Sequence, residues 1–84
     1  MTYELTTMYD SRKSFYGKAR VEMTADGDEQ LFSYTTRVAI IYADGHARVF
    51  GTYSPTTLRH IKEFLKQHGL KADTARQILT DYSG

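Results

Sequence analysis

Gln30-Leu31-Phe32-Ser33-Tyr34-Thr35-Thr36-Arg37-Val38-Ala39-Ile40-Ile41-Tyr42-Ala43-Asp44-Gly45-His46-Ala47-Arg48-Val49-Phe50-Gly51-Thr52-Tyr53-Ser54-Pro55 is the stretch on which the fold turns. In its first half Phe32, Tyr34, Thr36, Val38, Ile40 and Tyr42 fall in one register and Leu31, Ser33, Thr35, Arg37, Ala39 and Ile41 in the other. This two-residue period, in β-branched and aromatic residues, predicts a strand over 30–42. A strand of that length should bend or bulge midway, since a long flat edge invites aggregation. Asp44-Gly45 suits a hairpin turn that needs positive φ, and a further strand follows over 46–53. At Ser54-Pro55 the pattern changes, with an N-cap and then a proline where a helix tolerates one.

Downstream, Leu58, Ile61, Phe64 or Leu65, and His68 recur at helical spacing, and Gly69 stops the helix where a left-handed residue is wanted. A second helix over 74–82 opens at Asp73 or Thr74, with Gln77 placed to complete a capping box. Upstream, Ala25-Asp26-Gly27-Asp28 marks another hairpin, preceded by clean alternation from Phe15 to Met23 and by a short alternating segment at 2–8. The expected fold is α+β: an N-terminal antiparallel sheet of three to four strands, then two C-terminal helices packed on one face. Residues 1–84 are expected to form one domain.

With 84 residues and no cysteine, neither a disulfide framework nor a thiolate zinc site is available, so stability must come from packing or self-association. Seven Tyr and four Phe are many for so short a chain, and some are expected at the surface as interface anchors. No apolar run approaches a membrane span and the N-terminus lacks a signal-peptide pattern, so a cytoplasmic location and no membrane partner are expected. The net charge of +1 gives no overall pull toward nucleic acid, although residues 31–84 are more basic than residues 1–30.

None of the glycines has the spacing that cradles phosphate, and no metal-binding motif is present, so no cofactor is expected. The nearest metal set is His60 with Glu63, three apart on a helix, joined by His46 from a turn. The plainer reading makes His60 a solvated helix residue, His68 a residue favouring the helix dipole, and Arg59, Lys62, Glu63, Lys66 and Gln67 a mixed-charge solvated face. Ser11, Ser14 and Ser54 read as turn or cap residues rather than nucleophiles, and the expectation is that the protein is not an enzyme. A basic and aromatic set stands out instead. Lys18 and Arg20 share a face with Tyr16, Arg37 and Arg48 lie on the next strands, and Arg12 and Lys13 stand at one end. Such a surface suits a phosphate backbone or an acidic protein patch; alternatively it is an ordinary solvated face, with Glu4 and Glu22 pairing across strands.

Three blocks carry a resemblance: Asp10-Ser11-Arg12-Lys13-Ser14-Phe15-Tyr16-Gly17-Lys18-Ala19, Leu31 to Ala39, and Tyr53 to Gly69 with its Thr-Thr-x-Arg-His-Ile core. Over about residues 8–70 the chain resembles a family of small uncharacterised proteins encoded by phages, prophages and plasmids of Gram-positive bacteria. The resemblance implies a mobile-element accessory protein and transfers no site residues. It suggests an inhibitor or modulator of a host or defence nucleic-acid machine, anti-CRISPR-like, with a larger protein such as Cas9 as partner. A nucleic-acid-binding module using the basic sheet face is the alternative, acting as monomer or homodimer.

Overall fold

A computed structural model describes residues 2–10, 15 and 17–83. Five strands, β1 (Thr2–Glu4), β2 (Ala19–Met23), β3 (Glu29–Ser33), β4 (Thr36–Ile41) and β5 (Ala47–Val49), form one antiparallel sheet in the order of the chain. Two helices follow, α1 (Pro55–Gln67) and α2 (Ala75–Tyr82). The α+β class and the order of sheet then helices are as the sequence predicts, with one strand more.

The extra strand arises because the expected strand over 30–42 is two. Tyr34 turns the chain at φ 59, and the register shifts between Leu31 and Phe32. The strand expected over 15–23 begins only at Ala19, since Gly17 holds φ 75 and the Lys18 amide bonds back to Phe15 in a turn. The N-terminal strand is also shorter than the expected 2–8, because Glu4 is the last residue on the ladder and the next residues fold toward α1. The strand expected over 46–53 keeps only Ala47–Val49, as Tyr53 leaves the extended region at φ 56. Both Asp-Gly hairpins form as expected, with Gly27 at φ 90 and Gly45 at φ 95. Asp28 Oδ1 ties the two turns together by accepting from the Ala43 amide at 2.8 Å.

Ser54 caps α1, its Oγ accepting from the Thr57 amide at 3.2 Å. The helix ends in a Schellman arrangement: the Gly69 amide bonds Lys66 O and the Leu70 amide bonds Leu65 O, each at 3.0 Å, with Gly69 at φ 73. Thr74 caps α2, and Gln77 Oε1 reaches back to the Asp73 amide at 2.7 Å. Both helices lie on one side of the sheet, α1 against β3 and β4 and α2 against β5. The core between the layers holds Val21, Leu31, Ala39 and Val49 from the sheet and Ile61, Phe64, Leu65 and Ile78 from the helices. Each large side chain fully buried there contributes about 1.5–3 kcal/mol relative to exposure. No helix among the described residues is long and apolar enough to cross a membrane.

Candidate functional site

Strand alternation gives the sheet two unlike faces. Ala19, Val21, Leu31, Ser33, Ala39 and Val49 point to the helices, while Arg20, Glu22, Gln30, Phe32, Ile40 and Arg48 point away. The bulge decides where Arg37 goes. Leu31 pairs with Ala39 but Phe32 pairs with Arg37, so Val38 is an extra residue and Arg37 joins Phe32 on the uncovered face.

There the cations rest on rings. The Arg20 guanidinium lies 4.9 Å from the Phe32 centroid, and Arg37 and Arg48 lie 4.9 and 5.3 Å from that of Phe50. Lys18 Nζ is 5.7 Å from the Tyr34 ring. At exposed sites each such contact contributes about 0.5–1 kcal/mol. Arg20 also donates to Tyr34 O at 3.1 Å, and Arg37 to Gln30 Oε1 at 2.9 Å. The register places Glu4 opposite Arg20, yet among the described residues none of Lys18, Arg20, Arg37 and Arg48 is in ion-pair contact with a carboxylate. A guanidinium carries five N–H donors, so most of those on this face are not used within the described chain.

Of the residues that the sequence singles out, Lys18, Arg20, Arg37 and Arg48 are thus brought together, whereas Arg12, Lys13 and Tyr16 lie outside the described residues. Phe32 and Phe50, which seat the guanidiniums, were not among the expected site residues. Their signal is positional: each occupies a strand position that faces the same way as an arginine. The His46, His60 and Glu63 set does not assemble. His46 pairs with Asp44 at 3.0 Å in its exposed turn, and no group of three His, Asp or Glu among the described residues is placed to hold a metal.

His60 and Glu63 are not solvated, contrary to the sequence reading; each is 1% exposed. His60 Nδ1 bonds Ser33 Oγ at 2.8 Å, and Ser33 Oγ bonds Thr57 Oγ1 at 3.0 Å. The Phe15 ring meets the imidazole edge-on at 4.5 Å. Burial holds the His60 pKa below its usual value; nearby Asp10 pulls it up and Lys18 pushes it further down. Ser33 and His60 have the pairing of a nucleophile and base, but both are closed off from solvent, which makes the pair structural. Glu63 Oε1 accepts from the Tyr9 and Asp10 amides, each at 2.9 Å, and Oε2 accepts from Gln67 Nε2 at 2.7 Å, so one carboxylate clamps the loop after β1 onto α1. Near the first edge, Glu29 accepts from Tyr3 Oη and bonds His68 Nε2, each at 2.7 Å. Burial pushes the Glu29 carboxyl up, but the bonds from His68 and Tyr3 and the His68 charge outweigh it and leave the pKa lowered. Burial, then the Glu29 bond, push the Tyr3 phenol up.

The chain belongs to DUF8033, a family of unknown function whose model matches residues 3–81. No curated protein and no solved structure matches it. Membership therefore supports no activity, and any functional reading rests on the uncovered face.

Proposed function

We propose that this is a non-catalytic binding protein that works through the uncovered face of its sheet, and that the face takes nucleic acid. The observation that carries the reading is the seating of Arg20, Arg37 and Arg48 on phenylalanine rings rather than on the carboxylates nearby. A face designed only for solubility would neutralise its arginines across strands. Seated on rings, they keep donors for phosphate oxygens and offer flat planes on which a base can lie. Lys18 and the three arginines outnumber Glu4 and Glu22 on this side, an excess that the overall charge of +1 conceals.

The setting that the sequence resemblance implies is a phage or plasmid accessory protein that modulates a host or defence nucleic-acid machine such as Cas9. In that setting a basic face has a specific consequence. It is repelled by the positively charged channel in which such an enzyme holds its nucleic acid, so the protein would act through the nucleic acid rather than by filling the channel.

Fluorescence anisotropy with labelled DNA and RNA tests the reading across a salt series. Binding at low salt is expected, with log affinity falling against log salt at a slope of about −3 for four phosphate contacts. Arg20→Glu with Arg48→Glu should abolish it. Undetectable binding at low salt, or binding that survives this double reversal, sinks the nucleic-acid reading and leaves an acidic surface on a protein as the partner to seek.

A further inference from the structure

Among the described residues two other than glycine hold positive φ, and both are tyrosines: Tyr34 at 59 and Tyr53 at 56. That region crowds a Cβ against the backbone, so chains usually place Gly or Asn there. Tyr34 lies in the link between β3 and β4, and Tyr53 just before the α1 cap; both are short connections in which Gly or Asn would make the turn with less strain. Core packing does not compensate, since Tyr34 is 47% and Tyr53 63% exposed. A backbone held in an unfavourable region in order to present a large ring to solvent points to use of the ring.

The two tyrosines emerge at one end of the molecule. Ser33 and Ser54, their chain neighbours, are joined through Thr57 Oγ1 at 3.0 and 3.2 Å. That end continues the basic face, for Arg20 bonds Tyr34 O and Lys18 stands over the Tyr34 ring. The Tyr53 ring lies against Gly51, where an added Cβ would come within 3.3 Å of it, one residue from Phe50.

Resting on the nucleic-acid reading above, we infer that the ligand is single-stranded and that Tyr34 and Tyr53 stack on its bases. Four cations against two carboxylates are few for a duplex, which hides its base faces and is held mainly by its phosphates. A single strand offers unpaired bases, and exposed rings beside guanidiniums are the platform that holds them.

The test uses the whole chain, with fluorescein-labelled oligothymidylate and oligouridylate of about 20 nucleotides and a duplex of the same length. Wild type should bind the single strands at least tenfold more tightly than the duplex. Tyr34→Asn and Tyr53→Asn should each weaken single-strand binding about five- to hundredfold and leave duplex binding within twofold. Tyr34→Phe and Tyr53→Phe should retain single-strand affinity. Because asparagine tolerates positive φ, the thermal midpoint of the Asn variants should equal or exceed that of wild type. A midpoint lowered by more than about 5 °C would make the rings structural and overturn the inference. Equal affinity for duplex and single strand, or unchanged single-strand binding in both Asn variants, overturns it while the broader reading stands. Failure of wild type to bind any probe removes both.

Discussion

On the helix-covered side of the sheet the polar groups close on one another, whereas on the uncovered side they do not. Ser54, Thr57, Ser33 and His60 form an internal chain of hydrogen bonds, and Glu63 is occupied by two loop amides and Gln67. Among the described residues no buried side-chain nitrogen or oxygen lacks a partner. The arginines across the sheet rest on phenylalanines and keep unused donors. The contrast separates two tasks for polar groups: one side spends them on holding a single structure, and the other keeps them available to a ligand.

The contrast can be broken or sharpened by substitution. On the covered side Phe64→Ala should cost about 4 kcal/mol in urea unfolding, since the ring is fully enclosed. Glu63→Ala strips the partner from two loop amides and Gln67, and should cost about 3 kcal/mol by the same measurement. An acid titration of stability should fall in two stages. The folded His60 pKa is depressed, so the unfolded chain takes the proton first; stability is full above the ordinary value of 6.5 and declines as pH falls from there to the folded value. Glu29 is also lowered, so the stability from its bonds to Tyr3 and His68 is present above the ordinary 4.5 and is lost as pH falls through the folded value. His60→Gln should flatten the first stage and Glu29→Gln the second. On the uncovered side Arg48→Ala should change stability least, by about 0.5 kcal/mol, while reducing the salt slope of nucleic-acid binding by about 0.7. A loss above 2 kcal/mol there would mean that both faces do the same work.

Local signals account for what was legible in the sequence. Ser54-Pro55, Gly69 and the two Asp-Gly turns act through the residues next to them, and each is found where its chemistry predicts. The link at Tyr34 was not legible, because the chain turns there on a tyrosine and no Gly, Asn or Pro marks the place. Arg37 is more instructive still. Uninterrupted alternation assigns it to the face of Leu31 and Ile41, and only the extra residue at Val38 moves it beside Phe32. A bend midway is foreseeable from strand length, but its register is not. The burial of His60 and Glu63 was hidden because their partners are remote, Ser33 for one and the amides of Tyr9 and Asp10 for the other.

The Glu63 clamp also bears on synthesis. Its carboxylate bonds amides 54 and 53 positions earlier, so on a ribosome the N-terminal loop waits for most of the chain before its anchor exists. Until α1 emerges, the apolar side of the first hairpin has nothing to lie against. The nascent protein therefore passes through an interval of open hydrocarbon, which ends when the helix docks and fastens the earliest residues almost last.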